Sequence, residues 1–191
     1  DILDAAYNGA GQFQGAPLKN LRALGALYPE TVQLITRADM GINSVRDLKG
    51  KSVSSGSPGS GQYQLLTDLL KVHGMSRNDV KEDLSSFTQA VDKIKDGNLH
   101  ATLITAGVPT AAVTDFAQSH ALKVVPLSGP EIAELRKQQP YYAEVPLPAN
   151  TYKGQTAAVP TLAVMAVWTA HDAVPEGVAY EVTKALYENT A

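Results

Sequence analysis

The stretch 47-DLKGKSVSSGSPGSGQYQLLTDLLKVHG-74 decides how the rest of the chain is read. Val53 opens a short apolar strand. Gly56-Ser57-Pro58-Gly59-Ser60-Gly61 follows as a glycine- and serine-rich loop. From Gln62 onward Leu65, Leu66, Leu69, Leu70 and His73 recur at the spacing of one helix face, and Gly74 ends the run. Three specific chemistries can be tested against this loop. A phosphate loop needs Lys and Ser/Thr after its second glycine; Gly56 and Gly61 have the spacing, but Gln62 and Tyr63 follow. A dinucleotide turn fits Gly59 and Gly61 but has Gln64 for its third glycine. A nucleophile elbow around Ser60 has Pro58 in place of its first glycine. What survives is more general. The first N–H groups of a helix lack intrahelical partners, and the helix dipole is positive there. Glycines allow close approach, and Ser57 and Ser60 add hydroxyls. That is a seat for a carboxylate or other small anion. A plain strand-to-helix turn with Ser60 as its N-cap fits the same residues, and the residues alone leave both readings open.

Working outward, Asp1 to Tyr7 reads as the tail of a strand–helix unit, and Asn8 to Asn20 as a surface loop. Leu21 to Leu27 is strand-like, Tyr28-Pro29-Glu30 a turn, and Val32 to Thr36 a buried strand. In SVRDLKGK, Ser44 is placed to cap a short helix that Gly50 stops. Further helices are expected over Ser85–Asp96, Pro109–Ser119, Glu131–Gln139 and Pro175–Asn189. Strands are expected at Ala101–Thr105, Leu122–Leu127 and Thr161–Thr169, with Pro140–Pro160 an extended loop. Strands alternating with helices predict an α/β architecture with a largely parallel sheet. TAGVPTAA, Thr105 to Ala112, repeats the layout of the first loop, and Thr105 places a hydroxyl at a strand's carboxyl edge, where open α/β sheets bind ligands. A plain turn is again the alternative.

Composition narrows the function classes. The chain has 191 residues, 44% hydrophobic and 18% charged, with a formal net charge of -3. Its basic residues are scattered, so neither a nucleic-acid face nor a polybasic membrane patch is expected. The longest apolar run, near Leu162–Val167, falls far short of the roughly 18 residues of a membrane span. With no cysteine there is no disulfide and no thiolate chemistry. Asp1 reads as the start of a trimmed or partial chain. His73, His100, His120 and His171 form no H-x-x-x-H pair, and Asp79, Glu82 and Asp83 lack EF-hand spacing. No metal, cofactor or catalytic triad is expected.

Several segments, in order along nearly the whole chain, resemble the TAXI-type substrate-binding proteins of tripartite ATP-independent periplasmic (TRAP) transporters. They are AYNGAGQFQG, NLRALGALYPETVQLITRAD, INSVRDLKGKSVSSGSPGSG, AVDKIKDGNLHATLITAG, VPLPANTYKGQ, AVPTLAV and VPEGVAYEVTKALYEN. The resemblance implies a two-lobed periplasmic-binding-protein fold with ligand in the inter-lobe cleft. Lobe one, incomplete here, would hold residues 1–40 and 155–191, and lobe two residues 41–154. The crossing strands would be Val32–Thr36 and Thr161–Thr169, with closure as the expected motion. It implies an extracytoplasmic, periplasmic receptor, not an enzyme, with no cofactor. That receptor would act as a monomer and hand a carboxylate-bearing solute (glutamate, glutamine or a small organic acid) to TRAP permease subunits. The ligand-binding residues would be Gly56, Ser57, Gly59, Ser60 and Gly61, joined by Thr105, Ala106 and Gly107, with Tyr7 and Asn8 from lobe one. The alternatives are a hydrolase- or transferase-like enzyme using Ser57 or Ser60, and a receptor for an ATP-driven amino-acid transporter.

Overall fold

The computed structural model describes residues 2–189; Asp1, Thr190 and Ala191, at the two ends of the expected lobe one, lie outside the described residues. In chain order the elements are α1 (Ile2–Asn8), β1 (Leu21–Arg37), β2 (Ser52–Ser54), α2 (Gly61–Val72), β3 (Lys81–Asp83), α3 (Phe87–Lys95), β4 (Ala101–Ala106), α4 (Ala111–Ser119), β5 (Leu122–Val125), α5 (Pro130–Gln138), β6 (Ala143–Leu147), β7 (Val159–His171) and α6 (Glu176–Glu188). Local chemistry sets many of the boundaries. Ser44, Ser76 and Ser86 each form a capping box with the residue three positions on, Asp47, Asp79 and Gln89. The Ser60 side chain caps α2, and Pro130 sits in the first turn of α5.

The strands form one seven-stranded sheet in the order β3-β2-β4-β1-β7-β6, with β5 also pairing β1. It is mixed rather than largely parallel. β2 runs parallel to β3 and β4, but β1 is antiparallel to β4 and β5, and β6 is antiparallel to β7. The expected turn at Tyr28-Pro29-Glu30 is absent, since β1 passes straight through it as a 17-residue strand. Proline's fixed φ is compatible with extended backbone; only its missing N–H is a loss. The expected Pro140–Pro160 loop contains β6, and β3 arises in a charged segment that read as no strand at all.

The chain divides into two compact units. The larger, Glu30–Val164, is a three-layer sandwich. Alternate residues of its strands point to opposite faces. Val32, Leu34, Leu103 and Val53 pack with the α2 leucines and with Ile132 and Leu135 of α5. Ile35 and Ile104 pack with Ala90, Val91 and Ile94 of α3 and Val113 and Phe116 of α4. Leu65, Leu66, Leu69 and Leu70 are all at most 1% exposed, so each contributes about 1.5–3 kcal/mol of burial. The smaller unit comprises the chain up to Pro29 and from Met165 onward. Residues 30–40 and 155–164, assigned to lobe one on the resemblance, thus pack within the larger unit. In the smaller unit α6 docks on the first half of β1 through the Tyr187 hydroxyl, which donates to the Ala26 carbonyl at 2.9 Å. Among its described residues only Ala6 is buried. Among the described residues no helix is long and apolar enough to cross a membrane.

Candidate functional site

The glycine loop leaves the carboxyl end of β2 inside the larger unit. Gly56 is buried with φ +74°, a conformation that L side chains rarely adopt. A Cβ there would stand 3.3 Å from Gln62 Oε1 and 3.4 Å from Ser60 Oγ. The chain therefore folds back on the first turn of α2. Ser60 Oγ accepts the Tyr63 N–H at 3.2 Å, and its carbonyl accepts the Gln64 N–H at 3.2 Å. The N–H groups of Gly61 and Gln62 have no place in the intrahelical ladder and open at the helix mouth. Ser57 is exposed, and Gly59 lies between it and the cap with φ +80°. The buried Gln62 side chain donates to the Leu103 carbonyl at 3.0 Å, which fixes α2 to β4.

A cation braces this loop from behind. The Arg77 guanidinium stacks 3.7 Å over the Tyr63 ring, pairs with Glu82, and donates to Tyr63 O, Thr67 Oγ1 and Ser55 Oγ. Ser55 in turn donates to Glu82 at 2.8 Å. Burial pulls the Arg77 pKa below its ordinary value. The charges near the loop are thus paired with one another, and the loop itself offers only neutral donors.

The second loop leaves the carboxyl end of β4, the parallel neighbour of β2 (Val53 opposite Ala101, Ser54 opposite Thr102). Both expected loops thus emerge at the same end of adjacent strands. Thr105 and Ala106 end β4, and Gly107 follows. The Thr105 hydroxyl oxygen is buried without a hydrogen-bond partner. Thr105 shares the β4 face of Leu103, on the α2 side of the sheet.

Three residues not singled out from sequence hold this second loop. Gln33 of β1 is fully buried; its Nε2 donates to Thr110 Oγ1 at 2.9 Å, and its Oε1 accepts from the Tyr152 hydroxyl at 2.5 Å. Thr110 donates its backbone N–H to Tyr152 Oη and its hydroxyl to the Gly107 carbonyl, both at 2.9 Å. A signal was present: a lone glutamine inside the apolar strand VQLIT must be buried and must find partners.

Tyr7 and Asn8 lie at the end of α1, in the smaller unit. The Lys19 amine sits 4.1 Å over the Tyr7 ring, and Asn8 donates to Asp4 at 3.0 Å. Leu3, Asp4, Tyr7, Leu21 and Ala23 line a depression of about 330 Å³ there. His73 is a helix-end partner: it follows α2, and its Nδ1 meets the Leu69 carbonyl at 2.7 Å. Among the described residues neither Ser57 nor Ser60 hydrogen-bonds a histidine; the Ser60 hydroxyl caps α2. The Ser–His contact at this sheet is Ser52 Oγ to His100 Nδ1, 2.7 Å, at the opposite end of β2. Burial, with Lys51 and Lys81 nearby, lowers the His100 pKa. Among the described residues no group of three or more acids and histidines could hold a metal ion.

Comparison with known proteins now bears on this geometry. A family model described as NMT1-like family matches residues 1–191. Among solved structures, the arginine-bound truncated ArgBP of T. maritima superposes with a TM-score of 0.51 at 12% identity, over 91% of this chain and 61% of that one. The probable amino-acid ABC transporter extracellular-binding protein YtmK of Bacillus subtilis gives 0.52 at 17% identity, over 89% and 58%. The periplasmic aliphatic sulphonate binding protein SsuA of Escherichia coli gives 0.48 at 22% identity, over 65% and 42%. The chain therefore spans 42% to 61% of the lengths of these three proteins. The likeness is one of fold: a mixed α/β sheet matching the lobes of periplasmic binding proteins, of which this chain covers part.

Proposed function

The chain belongs to the NMT1-like family, and from that premise we propose that it is an extracytoplasmic solute receptor of the TAXI type, passing its ligand to a TRAP permease. Its solute carries a carboxylate, as an organic acid or a glutamate- or glutamine-like amino acid does. One observation carries the reading: two strand-to-helix loops, Ser55–Gly61 and Thr105–Thr110, leave the same end of the parallel pair β2 and β4. That is the place where open α/β sheets bind ligands. The carboxylate sits on the Gly61 and Gln62 N–H groups and the Ser57 and Ser60 hydroxyls, with Gly56 and Gly59 allowing close approach. Thr105, Ala106 and Gly107 close the seat. Neutral donors suit a receptor that must also release its cargo.

Titration calorimetry with 2-oxoglutarate, L-glutamate and L-glutamine tests this. Micromolar or tighter binding to one of them, weakened at least tenfold when Ser60→Ala and Gly59→Val are combined, supports the seat. Unchanged affinity in that double variant refutes it. A second reading, a receptor for an ATP-driven transporter, draws on the likeness in fold to YtmK, a probable amino-acid ABC transporter extracellular-binding protein. Reconstitution with each class of permease separates the two. An enzyme using Ser57 or Ser60 would need a base at one of those hydroxyls, and the Ser60 oxygen is engaged as the helix cap.

A further inference from the structure

The side chains of Gln33, Thr110 and Tyr152 form a closed circuit with a fixed direction. The one proton of the Thr110 hydroxyl goes to the Gly107 carbonyl, so its lone pair accepts Gln33 Nε2. That orients the Gln33 carboxamide with Oε1 toward Tyr152, whose one proton it takes. The Tyr152 oxygen then accepts the Thr110 N–H. Each donor is used once. The circuit joins three places far apart in sequence: strand β1, the loop after β4, and the loop between β6 and β7. It also governs one peptide plane. The Gly107–Val108 bond is trans, so its N–H points opposite to the carbonyl that Thr110 holds.

Resting on the receptor reading above, we propose that Gln33, Thr110 and Tyr152 are positioning residues that hold the Gly107 carbonyl back and present the Val108 N–H to the ligand as a donor. The Val108 amide is thus a specificity element for an acceptor atom on the solute, and the circuit decides its direction without touching the solute.

The test combines exchange and binding. In this chain without ligand, the Thr110 amide exchanges at least tenfold faster in Tyr152→Phe than in wild type, since its acceptor is gone; an unchanged rate overturns the proposal. By calorimetry with 2-oxoglutarate and L-glutamate, Thr110→Val and Tyr152→Phe bind about tenfold more weakly. Thr110→Ser, which keeps the hydroxyl, restores binding to within about twofold. Leu135→Ala, a truncation in α5, lowers the melting temperature but not the affinity. Equal losses in Thr110→Ser and Thr110→Val, or a comparable loss in Leu135→Ala, overturn the positioning role. If the wild-type chain takes up neither acid, the carboxylate reading fails, and the exchange rates alone decide whether the circuit holds the loop.

Discussion

Gly56 and Gly50 make a controlled pair. Both have φ +74°, but they differ in surroundings: a Cβ on Gly50 would meet nothing within 4 Å, whereas one on Gly56 would crowd Gln62 Oε1 and Ser60 Oγ. Alanine at either site incurs the left-handed backbone cost, about 1–2 kcal/mol. Either also gains the same few tenths to about 1 kcal/mol from a stiffer unfolded chain, so that contribution cancels in the comparison. What remains is the contact. The Gln62 side chain can retreat only by loosening its bond to the Leu103 carbonyl, now 3.0 Å, at a cost of about 0.5–1.5 kcal/mol. Gly56→Ala should therefore be less stable than Gly50→Ala by about 1 kcal/mol, roughly 2–4 °C in melting temperature for a chain of this size. Matched thermal melts by circular dichroism, with urea titrations to check the m-value, read this directly. Equal melting temperatures, or a lower one for Gly50→Ala, would refute the claim that the loop is packed against α2 through Gln62.

Two further outcomes are expected. Burial raises the Asp68 pKa, although Gln64 donates to it, and its Oδ2 is buried without a partner. The native state then holds a proton that the unfolded state releases from about pH 3.8 upward, so this group's stability contribution falls as pH rises through that window. Asp68→Asn should raise the melting temperature at pH 7, with the gain shrinking toward pH 4; a gain that is the same at both values contradicts the assignment. Arg77→Lys cannot reproduce the fork that bridges Ser55, Thr67, Tyr63 and Glu82, and should cost about 1.5–3 kcal/mol in urea titrations. A cost below about 0.5 kcal/mol would mean the brace is dispensable.

The helices were the most legible elements, because their signal is local. The Leu65–Leu70 spacing, the Ser60 cap and the glycine stop together placed α2 within a residue or two. Strands were harder. β3 is Lys81-Glu82-Asp83 on the sheet's edge, where charge protects an open edge and no apolar pattern forms. β6 carries Pro146, which an edge strand tolerates, so its surroundings read as loop. Strand direction was not legible either. β1 and β2 are joined without a crossover helix, and alternation of strand and helix says nothing about such a link. At the candidate site, the two loops were visible because glycine, proline and hydroxyl residues cluster there. The circuit behind the second loop was not, because Gln33 and Tyr152 are separated by 119 positions and meet only through the fold.

The part of β1 inside the larger unit has a consequence for how this chain tolerates insertions and deletions. Both of its faces are buried, with Val32 and Leu34 toward α2 and α5 and Ile35 toward α3 and α4. A strand keeps a two-residue phase, so a one-residue slip turns every side chain on one side of the change to the opposite face. Removing Leu34 would carry Gln33 into the leucine-rich face and away from Thr110 and Tyr152. Removing two residues would preserve the parity and shorten the strand by about 6.6 Å. Length changes within residues 32–36 should therefore be less damaging in even steps than in odd ones.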